Sequence, residues 1–404
     1  MSSSVPVKPR RGVILGGALI ASAVMLTVST VAFADDILKI GVLGVMSGPD
    51  AAWGLVSKYS AEATAAMYNE QGGVEIGGKK YKIEIDSVDD QADPKLAVTG
   101  AQRLILQDGI KYMIGPNVDS TIASAQPIAE KYDVMMFSYS FTRSLFSPPH
   151  LNTVLGIIPG YQTGPVVFKY LQDHEGLKSV AFVVLNTAEA LKQRDESVAA
   201  AGKLGLEVIS STDTYEEGAT DFFPVMSKVV GGNPGLIVLS GVSPADAPKL
   251  IKAARQLDYK GLLEAETAQD INILDQVAGD AAEGFISLGG ASTPEIQSDY
   301  MTSFIDHYKK IAGEWNDEAG TKAYALEMIL KTLQKAGPAA IADTELFKKT
   351  IPDFSAPNPF IKGDQELRYV GEAYFQQKRQ IGLPMVINTV AGGAFKTLFV
   401  GTVQ

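Results

Sequence analysis

The stretch Leu38–Gly54, LKIGVLGVMSGPDAAWG, contains an apolar run that ends abruptly in a loop. Ile40–Val45 predicts a buried parallel strand, and the residues Ser47-Gly48-Pro49 predict a tight loop before a helix. A strand, a loop and a helix in this order begin a βαβ unit. Ligands of open α/β sheets bind beyond the carboxyl ends of the strands, so Ser47 and Trp53 are expected beside a ligand. The alternative is that Gly48-Pro49 is only a turn.

The composition bounds the class of protein. The chain of 404 residues is 46% hydrophobic and 20% charged, which is enough for a large core and favours two domains. Its formal net charge of −11 argues against nucleic acid as a partner. The absence of cysteine excludes disulfides, thiolate metal sites and thiol nucleophiles, so the compartment has to be inferred from the N-terminus.

Residues 1–34 have the pattern of a secretory signal peptide. Lys8, Arg10 and Arg11 form a basic segment, Gly12–Val31 is uncharged and mostly apolar, and Ala32-Phe33-Ala34 is a small-x-small cleavage site. We therefore predict cleavage after Ala34 and a periplasmic mature protein without membrane insertion. The alternative is an uncleaved membrane anchor, because about 20 apolar residues can span a bilayer.

The order of predicted elements indicates two lobes. Strands and helices alternate over about 250 residues, which is typical of parallel sheets covered by helices on both faces. Because the pattern restarts near residue 157, we expect lobe 1 at residues 35–156 and 287–364, and lobe 2 at residues 157–286 and 365–404. Several crossings between the lobes would form a hinge beside a ligand cleft. Near the C-terminus, Glu372–Gln377 and Gly382–Asn388 predict a hairpin-like pair.

Sequence patterns of catalysis and metal binding are missing. His150, His174 and His307 have no metal-ligand partner three or four residues further along. The chain has no Gly-x-Ser-x-Gly, no GxxxxGK and no GxGxxG after a strand, and the Asp89–Asp93 loop lacks the closing glutamate of a calcium site. We predict no enzymatic activity, no metal and no cofactor.

Polar side chains follow predicted strands where a binding site is expected. Asp119, Ser120 and Thr121 follow the third strand, and the segment Ser138–Thr142 follows the fourth. Hydroxyls, backbone N–H groups at helix N-termini and aromatic walls can hold a small polar anion. Each hydroxyl taken alone is equally well explained as a helix cap. Their convergence at one sheet edge favours ligand binding.

The sequence resembles the periplasmic binding proteins of branched-chain amino acid ABC transporters, the Leu/Ile/Val-binding type, over nearly all of residues 36–390. The matching segments are IGVLGVMSGPDAAWG (40–54), DDQADPKLAVTGAQRLILQDGIKYMIGP (89–116), SAQPIAEKYDVMMFS (124–138) and AGDAAEG (278–284). The resemblance implies an α/β type I periplasmic binding protein fold, in which two Rossmann-like lobes joined by three hinge strands close over a ligand. It also implies a monomer that passes its ligand to the permease subunits of an ABC transporter.

In lobe 1, the resemblance implies a site for the ligand carboxylate. Thr142, the backbone at Ser140 and either Asp119 or Ser120 fall on the positions that hold this carboxylate, and Trp53 falls on an aromatic wall of the pocket. If Asp119 points inward, it would repel a carboxylate.

In lobe 2, the sequence departs from the family pattern. Ser243 stands where amino-acid binders have a tyrosine, and either Glu266 or Thr267 falls on the glutamate that meets the ligand ammonium. Glu189 falls near the position of an aromatic residue. Because an unpaired ammonium in a closed cleft is costly, an amine-free carboxylate or a short amide would fit better if Glu266 does not reach the cleft.

We therefore expect a periplasmic substrate-binding protein of an ABC importer that binds a small carboxylate-bearing solute by lobe closure. The candidates are a branched-chain or related amino acid, an amine-free aromatic or aliphatic carboxylate, and a short amide. The alternative is a ligand sensor of the same fold that docks on a receptor without transport. A hydrolase is a third possibility, for which the sequence offers no nucleophile–base pair.

Overall fold

Two β-sheets organise the computed structural model, which describes residues 36–48 and 50–403; the predicted signal peptide and its cleavage site lie outside the described residues. The strands are β1 (Asp36–Gly44), β2 (Val74–Ile76), β3 (Lys79–Asp89), β4 (Tyr112–Ile114), β5 (Met135–Ser138), β6 (Thr153–Leu155), β7 (Ser179–Leu185), β8 (Glu207–Tyr215), β9 (Leu236–Ser240), β10 (Leu262–Ala268), β11 (Ile286–Gly289), β12 (Ser355–Pro357), β13 (Glu366–Val370), β14 (Gln380–Ile381), β15 (Pro384–Ala391) and β16 (Ala394–Thr402).

Helices connect most of these strands and cover the sheets. They are α1 (Ala51–Glu70), α2 (Pro94–Gln102), α3 (Asp119–Lys131), α4 (Gly160–Glu175), α5 (Ala188–Lys203), α6 (Phe223–Gly231), α7 (Ala247–Gln256), α8 (Ile271–Ala278), α9 (Asp299–Ala312), α10 (Ala319–Ala336), α11 (Thr344–Thr350) and α12 (Glu372–Phe375). Within residues 36–48 and 50–403, no helix combines the length and the apolar character needed to cross a membrane.

Each sheet forms the centre of one lobe. The first sheet has the order β12-β13-β14-β6-β5-β4-β1-β3-β2, and the second has the order β16-β15-β11-β10-β9-β7-β8. The central strands are parallel, with β1 between β3 and β4, and β9 between β7 and β10. Antiparallel pairs are confined to the ends of the two sheets. The two α/β lobes predicted from the alternating pattern are therefore confirmed.

Strand β1 lies inside the first sheet because its residues can be buried on both faces. Ile40, Val42 and Leu43 are fully buried. The loop after β1 is held by Asp89, whose Oδ1 accepts the backbone N–H of Met46 at 2.8 Å. Helix α1 then packs against α9 and α10. The strand, loop and helix predicted from this stretch are all present, and they bring the start of α1 to the carboxyl edge of the sheet.

The chain crosses between the lobes three times: between β6 and α4, between β11 and α9, and between β14 and β15. Helix α4 packs on α5 and β10 of lobe 2, whereas α9 and α10 pack on α1 of lobe 1. Two amide side chains tie the first and third crossings together. Gln380 Nε2 donates to the Ile157 carbonyl at 3.0 Å and to Gln162 Oε1 at 2.7 Å. Three crossings correspond to the three-strand hinge that the resemblance implies.

The positions of two crossings differ from those expected. Strand β11 belongs to the second sheet, so lobe 2 continues through Gly289 instead of ending at residue 286. Strands β13 and β14 belong to the first sheet, so residues 366–381 lie in lobe 1. The expected pairing of Glu372–Gln377 with Gly382–Asn388 is wrong, because α12 occupies the first segment and β15 pairs with β16. Apolar alternation identifies a strand without identifying the sheet that it joins.

Candidate ligand-binding cleft

A cavity of about 310 Å³ lies where the carboxyl ends of strands from both sheets meet. Residues that follow β1, β4 and β5 form the wall of lobe 1, and residues at the ends of β7, β9 and β10 form the wall of lobe 2. The first turn of α10 and the three crossings complete the lining. A volume of this size accepts a small organic molecule.

Much of this lining is apolar. The large apolar residues on it include Trp53, Tyr139, Phe141, Ile157, Leu185 and Leu383. Aromatic and aliphatic walls remove the apolar part of a ligand from water, and a few polar groups then fix its orientation.

The structure brings six of the ten predicted site residues to this cavity. These six are Trp53, Asp119, Ser140, Glu189, Glu266 and Thr267. They come from five separate segments of the chain and from both lobes. The strand-end pattern placed the lobe 1 residues at one sheet edge, whereas Glu189, Glu266 and Thr267 were expected from the resemblance. Their roles toward a ligand stay predictions.

The other four predicted residues are absent from the lining and stabilise turns or lie on the surface. Ser138 Oγ donates to the Gly115 carbonyl at 2.7 Å, and the backbone N–H of Thr142 donates to Ser140 Oγ at 2.9 Å. The Ser243 carbonyl accepts backbone N–H groups at the start of α7. Ser120 is exposed on α3, as is Ser47 in the loop after β1. The turn interpretation therefore fits the Ser138 hydroxyl, whereas the side chain of Thr142 makes no cap hydrogen bond to the short helix at Arg143–Phe146.

Of the two alternatives Asp119 and Ser120, only Asp119 lines the cavity. Asp119 is the first residue of α3 and lines the cavity, where its Oδ1 accepts a hydrogen bond from the Ser140 hydroxyl. Because Ser140 Oγ also accepts the N–H of Thr142, the hydroxyl of Ser140 is already engaged on both sides. The position expected to hold a ligand carboxylate thus presents a carboxylate of its own.

Lys322 is a site residue that the sequence analysis missed. It lies on α10, is only 7% exposed, and places its Nζ 3.4 Å from Glu318 Oε1 and 3.7 Å from the centroid of the Tyr139 ring. Burial lowers the pKa of Lys322, and the Glu318 carboxylate opposes this shift. Burial likewise raises the pKa of Glu318, and Lys322 opposes it. The only available signal was a glutamate and a lysine four residues apart at the start of a helix that carries a second such pair, Glu327 and Lys331.

In lobe 2, Glu266 is buried and has three hydrogen-bond donors. Gln193 Nε2 lies 2.9 Å and Ser240 Oγ 2.5 Å from its Oε2, and the Ser197 hydroxyl donates to its Oε1. Burial raises the pKa of Glu266, and these three donors oppose the rise. Glu266 therefore reaches the cleft as a carboxyl group held firmly between α5 and β9.

Glu264 lies two residues before Glu266 on β10 and points to the same face of the sheet. It is 2% exposed, and its Oε2 has no hydrogen-bond partner in the described part of the chain. Burial and the neighbouring Glu266 raise its pKa well above the usual value. Glu264 does not line the cavity.

Among the residues that the structure describes, no group of three or more His, Asp or Glu side chains is arranged to hold a metal ion. The carboxylates of the cleft are spread over both walls instead of converging on one point.

The sequence profile of the periplasmic binding proteins matches residues 37–387, and the chain belongs to this family. The family consists of solute-binding proteins, so the predictions of the fold class and of a protein that is not an enzyme are confirmed.

The most similar relatives and structures differ in ligand. The Leu/Ile/Val-binding protein of Escherichia coli (strain K12) is 29% identical over 279 residues, which is 68% of this chain and 72% of that protein. The substrate-binding protein LivJ of Streptococcus pneumoniae in complex with isoleucine has a TM-score of 0.73 at 19% identity, covering 91% of this chain and 99% of LivJ. A solute-binding protein of R. palustris in complex with benzoate has a TM-score of 0.73 at 16% identity, covering 91% of this chain and 97% of that protein.

Proposed function

We propose that this chain is the solute-binding protein of an ABC importer and that it carries one small organic molecule in the cleft between its lobes. The observation that carries the proposal is the 310 Å³ cavity, which is lined by both lobes at the carboxyl ends of their strands. A ligand that touches both walls binds the closed arrangement more tightly than the open one, so binding shifts the protein toward closure. The closed form then presents a surface from each lobe to the permease subunits.

The signal-peptide pattern supports export of the mature chain. We propose cleavage after Ala34 and delivery from the periplasm, in keeping with the compartment of the family. We also propose that the mature protein is a monomer, as the resemblance to the Leu/Ile/Val-binding proteins implies.

The cleft supports a ligand with an apolar body and at least one hydrogen-bond donor. Trp53 and the neighbouring aromatic and aliphatic residues suit the body, and Glu266 suits a donor. A ligand carboxylate, as expected from the sequence, would have to avoid Asp119 and approach Lys322. An amine-free carboxylate therefore fits less well than an amino acid or a short amide.

A thermal-shift screen of purified residues 35–404 tests the proposal. At 100 times its dissociation constant, a ligand should raise the free energy of unfolding by about 2.7 kcal/mol. We expect at least one small solute to do so, Trp53→Ala to weaken its binding, and X-ray scattering to detect a more compact protein in its presence. Leu106→Ala is the control, because Leu106 is exposed and lies outside the cavity. A protein that binds no solute in a broad panel would overturn the proposal.

Uptake measurements separate transport from sensing. Deleting the gene should abolish uptake of the radiolabelled ligand, and supplying the wild-type chain should restore it. Uptake that is unchanged by the deletion would favour the sensor instead.

A further inference from the structure

The charged side chains on the cleft walls are nearly all acidic. Lys322 is the one basic residue among the lining residues in the described chain. The acidic lining residues are Asp50, Asp119, Glu189, Glu217, Glu266 and Glu318. The net charge of the whole protein is also negative, but six acids against one base in a single cavity is a far stronger bias than the composition of the chain.

The acids are divided between the two walls. Asp50, Asp119 and Glu318 belong to lobe 1, and Glu189, Glu217 and Glu266 belong to lobe 2. Glu318 is paired with Lys322, so the repulsion comes from the other five acids: closing the cleft brings them toward one another, which opposes closure. A cation between the walls would remove this repulsion, and its own charge would be compensated from both sides. Ligand charge is thereby coupled to the closure of the lobes.

Lys322, the one cation among the lining residues that the structure describes, is already compensated. Lys322 Nζ lies 3.4 Å from Glu318 Oε1 and 3.7 Å from the centroid of the Tyr139 ring. A ligand carboxylate at this point would compete with Glu318 for the ammonium group and would meet the carboxylate of Asp119 on the same wall. The lining therefore offers no free positive charge to an anion.

Two buried acceptors on the wall of lobe 1 have no donor in the described residues. They are Glu318 Oε2 and Asn117 Oδ1, and both residues line the cavity; the Tyr139 hydroxyl, which can donate as well as accept, is a further buried atom of this wall without a partner in the described residues. Glu318 is itself only 7% exposed. Buried polar atoms are rarely left without a hydrogen bond, so these two acceptors indicate a ligand that donates hydrogen bonds. An ammonium, amidinium or guanidinium group has several donors and no acceptor.

We infer that the solute is an organic cation: an ammonium, amidinium or guanidinium group on an apolar body, with a net positive charge. The inference rests on the proposed function and specifies its ligand. The aromatic rings of Trp53 and Phe141 add to the fit, because cations bind favourably over aromatic faces. The apolar part of the lining accounts for the body of the ligand.

A series of solutes with one carbon skeleton and different charges tests the inference. Leucine is the zwitterion, leucinamide and isoamylamine are the cations, and isocaproate is the anion; phenylalanine, phenylalaninamide, phenethylamine and hydrocinnamate form the aromatic series. Benzamidine and agmatine extend the panel to amidinium and guanidinium groups. Thermal shift ranks all of them at neutral pH, and calorimetry then gives the dissociation constant of each binder. We expect the tightest binder to be a cation, at least tenfold tighter than its zwitterionic and anionic counterparts.

Substitutions then test whether the acidic residues of the cleft are responsible for binding the cation. Asp119→Asn and Glu189→Gln should each weaken the tightest cation about tenfold and reduce the dependence of its affinity on salt. Asp306→Asn and Glu207→Gln remove the same charge from exposed positions outside the cavity and should leave the affinity unchanged.

The outcomes distinguish the inference from the proposed function. If leucine, isocaproate or their aromatic counterparts bind most tightly, the inference is overturned and the solute-binding function stands. If no solute of any charge binds, both are overturned. Cation binding that is unaffected by Asp119→Asn and Glu189→Gln would also overturn the inference, because the cleft acids would then not recognise the charge.

Discussion

The ammonium group of Lys322 lies 3.7 Å from the centroid of the Tyr139 ring, inside the cleft between the two lobes. Glu318 Oε1 is 3.4 Å from the same ammonium, and both charged side chains are more than nine-tenths buried. The pair is held on α10, which belongs to lobe 1 although the chain reaches it only after passing through lobe 2. This arrangement keeps a charged pair at the cleft without leaving either charge alone in the interior.

Lys322→Met should destabilise the protein by about 3 kcal/mol at pH 8, because it leaves Glu318 as an unpaired buried carboxylate. The pKa of Glu318 is raised by burial, and loss of Lys322 raises it further. The protonated form of Glu318 is then favoured in the folded state, so the loss of stability should be smaller at pH 5 than at pH 8. Urea unfolding at both pH values measures the effect.

The double variant Glu318→Gln/Lys322→Met is the control for this prediction. It removes both charges, so most of the lost stability should return and the added pH dependence should disappear. If Lys322→Met is as stable as the wild type at pH 8, the pair contributes nothing and the prediction is wrong.

The sequence predicted the parts of the fold that depend on local pattern. The apolar run through Ile40–Val45 and the loop after it identified β1 and α1, and the restart near residue 157 identified the second lobe. Strand β13 was not predicted, and the expected hairpin near the C-terminus assigned residues 366–381 to lobe 2, because a short apolar segment fits the edge of either sheet. Only the paired backbones in the folded structure decide this.

The candidate site was predictable where it follows a strand and unpredictable where it lies on a helix. Trp53 was located because ligands meet the carboxyl ends of parallel strands, whereas Glu266 was expected only from the resemblance to the Leu/Ile/Val-binding proteins. Lys322 was missed because the apolar pattern of α10 predicts a core helix. A charged residue within that pattern does not show which way its side chain points. The choice between Asp119 and Ser120 depended on one residue of register at a helix start, which is the least certain feature of a sequence-based prediction.

Arg143 bridges the two lobes outside the cavity. Its substitution should weaken ligand binding although Arg143 does not contact the ligand. Its guanidinium is 2.5 Å from Glu196 Oε2 on α5, and it lies 4.4 Å from the centroid of the Tyr161 ring on α4. Because both charged groups are about one-third exposed, the pair is worth at most about 1 kcal/mol. Arg143→Gln should therefore reduce affinity up to about fivefold, measured by calorimetry with the tightest binder of the solute panel.

Exchange of the two charges is the matched control for Arg143. The double variant Arg143→Glu/Glu196→Arg restores an ion pair of opposite polarity and should recover part of the affinity, whereas Glu196→Arg alone should lower it. Equal affinities in all four proteins would mean that the bridge does not favour the closed arrangement.

Gly160 supports the orientation of Glu266 by having no side chain. A Cβ atom at this position would lie 2.7 Å from Glu266 Cδ and 2.9 Å from Gln193 Cδ, closer than these buried groups permit. Gly160→Ala should therefore cost about 1–3 kcal/mol in the free energy of unfolding and weaken ligand binding through the displaced carboxyl group. Thermal unfolding and calorimetry measure the two effects.

Gly202→Ala provides the comparison for Gly160→Ala. Gly202 lies within α5, and a Cβ atom there meets no other atom within 4 Å. Alanine at this site should stabilise the helix by about 0.5–1 kcal/mol, because glycine loses more backbone entropy on folding. Similar changes in both variants would show that the contact with Glu266 is not what makes Gly160 necessary.

Asp317 should make the protein less stable as the pH rises from about 4 to about 6. Its side chain lies at the second crossing, where it accepts the Gly290 N–H at 3.3 Å and the Ser292 hydroxyl. Burial raises its pKa to about 6, hydrogen bonds from Ser292 and Gly290 oppose the rise, and Asp270 adds to it.

Between the pKa of the unfolded chain and about 6, the folded protein binds more protons at Asp317 than the unfolded protein does, so unfolding becomes easier as the pH increases. The full effect is at most about 3 kcal/mol and is complete above pH 6, because one pKa unit corresponds to about 1.4 kcal/mol. Asp317→Asn removes this titrating group. The change in the free energy of urea unfolding between about pH 4 and pH 6 should therefore be smaller than in the wild type by that amount. The exposed Asp306→Asn keeps the buried acid and should retain the wild-type slope. An unchanged slope in Asp317→Asn would mean that Asp317 titrates as it does in the unfolded chain, despite being only 2% exposed.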